Sequence, residues 1–190
     1  MDHPPTEGEE LVLAMPAREL FAVNGFVTEL AMPVLECLGD ETWFALPEVI
    51  REDPMAREVR LGLVIVRGHP GSREVLTRSD GTILALSLLT PELLSGSGLG
   101  VLKRHAQVVT RTLCGLAMGA SCGVEIVGYV HDGKLPGLRH VLVPVYRAVV
   151  GPETPAPSDA AWISASALTG MPMAPLCALI ARCVDPQRPR

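Results

Sequence analysis

Ser95-Gly-Ser-Gly-Leu-Gly100 runs directly into Val101-Leu-Lys-Arg-His-Ala-Gln-Val-Val-Thr-Arg-Thr-Leu-Cys-Gly-Leu-Ala-Met118, and this passage decides the architecture. In the second part Leu102, Ala106, Val109, Leu113 and Leu116 recur at helical spacing, which predicts a helix over Val101–Met118 with one apolar face. Gly119–Gly123 ends it. Lys103, Arg104 and His105 crowd three basic groups into its first turn, where cations oppose the helix dipole. From Leu93 to Val124, thirty-two residues, there is no Asp or Glu.

Upstream of this helix, apolar runs over Leu11–Met15, Trp43–Leu46, Val59–Arg67, Glu74–Arg78 and Thr82–Leu89 read as strands, and the β-branched run at Val59–Arg67 reads as a central one. The turns are Gly68–Gly71 and Ser79-Asp-Gly81. Pro16 suits a helical first turn running to Phe21, and Phe26–Leu38 reads as a helix interrupted at Pro33. Pro47–Arg57 is a charged connector. Downstream, Val124–Val130 and Arg139–Val150 are strands, Trp162-Ile163 starts a short strand or turn, Ser164–Leu168 is a short helix and Pro175–Val184 a final one. The links are mostly hairpin-like, which disfavours a doubly wound sheet with its helical crossovers. Mixed α/β is the fold class.

The chain has 190 residues, enough for one ordinary domain, with 48% apolar and 19% charged residues, which argues against disorder and coiled coil. Three Phe, two Trp and two Tyr leave few rings for stacking bases, and sixteen Lys plus Arg against twenty-one Asp plus Glu give a net charge of −5. No nucleic-acid platform is expected. Neither is a membrane span, because the longest clean apolar runs, Leu142–Tyr146 and Leu61–Val66, are far too short. Cys37, Cys114, Cys122, Cys177 and Cys183 form no CxxC pair and an odd set, which fits a reducing compartment, the cytoplasm by default.

Several pieces stand in an order that resembles the Nudix hydrolases, and more narrowly a branch of uncharacterised Nudix-like phosphoesterases with an N-terminal extension. They are Arg18-Glu-Leu-Phe21, Asn24-Gly-Phe26, Phe44-Ala-Leu-Pro47, Arg51-Glu-Asp-Pro54 and Val59-Arg-Leu-Gly-Leu-Val-Ile-Val66. After the helix follow Val124-Glu-Ile-Val-Gly-Tyr-Val-His-Asp132, Arg139-His-Val-Leu-Val-Pro-Val-Tyr146 and Ala161-Trp-Ile-Ser-Ala-Ser-Ala-Leu168, so the likeness covers roughly residues 11 to 168. It implies an α/β/α sandwich around a mixed sheet, with a lead-in and α/β extension over 1–58 and a core over 59–190, as one folding unit.

The same resemblance implies a glutamate-rich box on the main helix that holds Mg²⁺ or Mn²⁺, a hard cation that takes oxygen ligands, clamps the diphosphate and activates water. Here the box falls at Arg111-Thr-Leu-Cys-Gly-Leu116: Arg111 and Leu113 match, while Thr112, Gly115 and Leu116 stand where the glutamates are expected. No register rescues it in an acid-free stretch, and Coulomb terms of several kcal/mol per pair oppose a cation beside Lys103, Arg104 and Arg111. The expectation is therefore a catalytically degenerate member with no catalytic residue, metal or cofactor of its own. It binds a small phosphorylated, nucleotide-like ligand or a protein partner, a second copy included.

The ligand-binding candidates are Lys103, Arg104, His105 and Arg111, at the glycine loop and the helix after it, together with Arg78 at a strand end. The competing readings are a solvated basic first turn and an edge-strand arginine facing water. A rival hypothesis keeps the enzyme alive with Mg²⁺ or Mn²⁺ held by Glu52, Glu58, Glu125 or Asp159, and predicts that two or more of these acids converge. A third makes the chain an interaction module with an apolar surface on its last helix. His131-Asp132 heads a turn and is no acid/base pair, and Cys114 and Cys122 read as small buried hydrophobes.

Overall fold

The computed structural model describes residues 10–17, 24–28, 31–94, 98–117, 122–135 and 137–184. Among them are nine strands and four helices: β1 (Val12–Pro16), β2 (Gly25–Val27), α1 (Met32–Asp40), β3 (Trp43–Ala45), α2 (Pro47–Glu52), β4 (Ala56–Arg67), β5 (Glu74–Arg78), β6 (Ala85–Leu88), α3 (Leu99–Cys114), β7 (Gly123–His131), β8 (Val141–Val150), β9 (Ala160–Ser164) and α4 (Pro175–Val184). A short 3₁₀ turn spans Ala167–Gly170.

The sheet runs β2-β7-β8-β4-β1-β3 and is centred on β4. The far edge of β4 is shared in sequence by β1, which pairs at Ala56–Glu58, then β6 at Arg60–Leu63, then β5 at Val66–Arg67; β9 hangs on β5. On its other edge β4 runs parallel to β8, from Glu58 beside Val141 to Arg67 beside Val150.

Because side chains alternate across a strand, β4 divides its load between two faces. Val59, Leu61, Leu63 and Ile65 pack with Val34, Cys37 and Leu38 of α1 and with Val101, Leu102 and Ala106 of α3. Val64 and Val66 pack with Cys177, Ile180 and Val184 of α4, and α2 adds Ile50 over Val12, Ala14 and Ala56. Helices on both faces of a mixed sheet make the α/β/α sandwich. The last helix covers core: Ile180 and Val184 are fully buried.

Several expectations change. The helix read over Phe26–Leu38 is a strand, β2, followed by α1, because Phe26 pairs with Val130 and Pro33 lies in the first turn of the helix, where proline needs no N–H. The connector Pro47–Arg57 holds a helix, α2, with Pro47 in its first turn, Glu48 near its N-terminus and Arg51 near its C-terminus. Pro16 closes β1 against Ala56; the rest of the helical turn expected there, Arg18–Phe21, lies outside the described residues. β6 begins only at Ala85, since Asp80 Oδ1 accepts from the Thr82 N–H and Arg78 N–H donates to the Thr82 carbonyl, which keeps that end in a turn. The main helix stops at Cys114, short of Met118, and the parallel β4–β8 pair is a crossover among the hairpins.

Candidate functional site

Helix α3 leans on β4, β7 and β8 with Val101, Leu102, Ala106 and Cys114, and this docking sets where its polar groups point. Gly98 caps its start at φ +94°, with no side-chain cap and no acidic residue in the first turn. Lys103 and Arg104 are exposed. His105 turns inward and is only 8% exposed. Arg111 is half-buried, and its Nε, enclosed from solvent, has no acceptor. At 3.6 residues per turn, Arg104 and Arg111 share one face about 10 Å apart along the axis. Arg78 belongs to β5, is exposed, and pairs with Asp159 at 3.0 Å. The structure thus gathers four of the five basic candidates on one helix and puts the fifth on a different strand.

His105 Nε2 lies 3.1 Å from Ser87 Oγ of β6, a neighbour with no signal in the sequence, because only the pairing of β6 with β4 brings it under α3. The Ser87 hydroxyl donates to the Leu88 carbonyl at 3.1 Å, so the imidazole Nε2–H donates to Ser87. A serine whose proton is committed to a carbonyl is not an activated nucleophile, and no described acid orients the ring from the other side. Burial holds the His105 pKa below its ordinary value, so the ring is neutral.

Two acids of the rival hypothesis, Glu58 and Glu125, stand apart. Glu58, aligned with Val141, is bound by Arg60 at 2.6 Å; Glu125, aligned with Arg147, is bound by that arginine. Six residues of β8 separate the two places, about 20 Å at strand spacing. Asp159 is held by Arg78, and Glu52 is exposed on α2. Among the described residues no three His, Cys, Asp or Glu side chains gather.

His131 Nδ1–H donates to the Val141 carbonyl at 3.2 Å, while Asp132 Oδ1 accepts from the Lys134 N–H at 2.8 Å, so the two do separate structural jobs. Burial, then the neighbouring Cys122, pushes the Cys114 thiol up to about 11. Beside the start of α3 lies a cavity of about 40 Å³ walled by Leu13, Leu38, Phe44, Leu94 and Val101, apolar and too small for a nucleotide. Ser95–Ser97 of the glycine loop lie outside the described residues. A groove of about 320 Å³ between β1, β4 and α2 carries Glu10, Glu48 and the Glu58–Arg60 pair, a lining that repels a phosphate.

No family model matches the chain, and no curated protein does either. Among solved structures it is similar to Tm1382, provisionally classed as a Nudix hydrolase, with a TM-score of 0.68 at 14% identity over 92% of this chain and 97% of that one. The fold is that of the Nudix hydrolases. Weaker likenesses are the NUDIX domain of Shewanella oneidensis NrtR, complexed with ADP ribose (TM-score 0.40, 16% identity, 73% of this chain and 96% of that one), and the M. smegmatis Nudix hydrolase RenU (0.37, 16%, 65% and 81%). The fold assignment rests on Tm1382 alone. The hard cation that the Nudix fold implies does not fit the donors here: besides guanidinium, ammonium and hydroxyl groups α3 offers one imidazole, one amide and one buried thiol, and no carboxylate.

Proposed function

We propose that this chain uses the Nudix fold to bind a small phosphorylated, nucleotide-like molecule without metal-dependent cleavage. The observation that carries the reading is the acid-free stretch from Leu93 to Val124, which contains the whole of α3. The helix geometry supports it further. Gly115 caps α3 in the left-handed region at φ +59° and Leu116 lies beyond it, so the last two box positions are not helical, and a carboxylate there would not stand on the helix face. Lys103, Arg104 and Arg111 supply the positive charge for the ligand, and His105, pinned to Ser87, fixes the ground beneath them. Arg78 contributes least, since Asp159 already offsets its charge. Cytoplasmic location belongs to the same reading and is supported by the four described cysteine side chains, all free and buried.

The test is a panel of nucleoside diphosphate-linked compounds incubated with Mg²⁺ or Mn²⁺, alongside calorimetry with the same compounds. The expected outcome is binding without turnover, weakened about tenfold by Arg104→Ala or Arg111→Ala, a loss of about 1.4 kcal/mol. Turnover above background that a chelator abolishes overturns the proposal.

A further inference from the structure

We propose that the end of the sheet where β4 and β8 begin is a binding site for a phosphate group, built from Arg57, His140, Arg51 and Arg139. The parallel register sets Glu58 beside Val141, and the Glu58 N–H donates to the His140 carbonyl at 2.8 Å, so Arg57 and His140 are neighbours at the strand starts. Arg51 is on α2, whose exit through Asp53–Met55 leads into Arg57, and Arg139 precedes His140.

Arg57 is only 9% exposed. Both of its hydrogen bonds use Nη1, to the Pro54 carbonyl at 2.9 Å and the Ala56 carbonyl at 2.6 Å, while Nε is buried without an acceptor. His140 Nδ1 is likewise buried and unpartnered. A desolvated guanidinium with an unused donor is costly unless an anion completes it.

The nearby acids do not do so. Glu58 gives both carboxylate oxygens to Arg60, at 2.6 and 3.3 Å. Asp53 accepts from the Met55 N–H at 2.7 Å and acts on Arg57 only from a distance, while Glu48 and Glu52 of α2 are exposed. His140 is pushed towards its neutral form by burial and then by Arg57, Arg139, Arg51 and His131. In a chain of net charge −5 such a concentration of positive groups is local and specific. Several cations around a partly buried arginine match a dianionic oxyanion better than a single carboxylate. Arg51 and Arg139 are exposed and, like the buried Arg57, act electrostatically on His140, which places all three around it.

None of these residues lies on α3, so the two proposals fail separately. The probe is inorganic phosphate, titrated at constant ionic strength against the full chain, with acetate as the control and the His140 ring signal followed by NMR. Expected are a saturable shift with phosphate and not with acetate, and a rise in the pKa of His140 when phosphate is bound. Binding weakens severalfold in Arg51→Gln and in Arg139→Gln, two exposed positions whose replacement spares the fold, and is unchanged in Arg104→Ala. Arg57→Lys, which keeps charge and loses the fork, weakens it further. An effect of phosphate no larger than that of acetate, or Arg51→Gln and Arg139→Gln proteins that bind as the parent does, refutes the site.

Discussion

His105 couples protonation to stability. Buried and bonded to Ser87, it is held neutral in the fold, whereas in the unfolded chain it titrates near its ordinary value of about 6.5. Below that value the unfolded state binds more protons than the folded one, so the stability contributed is complete above about pH 6.5 and is lost as pH falls towards the lowered folded value. Urea unfolding followed between about pH 7 and 5 should show declining stability before the carboxylates titrate, and His105→Gln should remove part of that slope. His140, whose pKa is also lowered, contributes to the part that remains. A histidine at this position was visible in the sequence as one member of a basic triplet, but its inward direction was not: that depends on α3 docking through Val101, Leu102 and Ala106. Its triplet neighbours Lys103 and Arg104 face water.

At the scale of elements, α3 was legible because its apolar spacing is local, and its end was misplaced because a cap outranks periodicity. The Leu116 N–H donates to the Arg111 carbonyl and the Gly115 N–H to the Thr112 carbonyl, which closes the helix through a left-handed residue. Only glycine takes that conformation without cost, so Gly115→Ala should lower stability by about 1–2 kcal/mol, read as a lower urea midpoint with an unchanged slope. Gly115→Glu should cost a similar amount, because no side chain restores the helix there. α1 and α2 show the opposite error. Proline at the head of each was read as an interruption or a connector, yet in a first turn proline is compatible with the helix.

In the molecule as a whole, β5 and β9 are tied on lightly, since β5 meets β4 only at Val66–Val75 and Arg67–Glu74. Arg67 reinforces that joint: its Nε donates to Glu74 at 2.6 Å, its Nη1 to the Thr154 carbonyl at 2.9 Å, and its guanidinium lies 4.7 Å from the centre of the Trp162 ring. Arg67→Ala should loosen β5 and β9 by about 1–2 kcal/mol, which accelerates their amide exchange about 5–30-fold and leaves β7 and β8 protected as before.

What the sequence by itself determined was whatever neighbouring residues decide among themselves: the apolar spacing of the main helix, the run that became β4, the want of acids around the helix, and the order of pieces that resembles one fold. Tertiary structure alone decided that β4 and β8 run side by side in the same direction, that Ser87 reaches His105, that Glu58 and Glu125 stand far apart, and that Arg57 and His140 meet. The physical reason is that register between distant strands is chosen by the burial of both sheet faces at once, a sum over the whole chain that no short window contains.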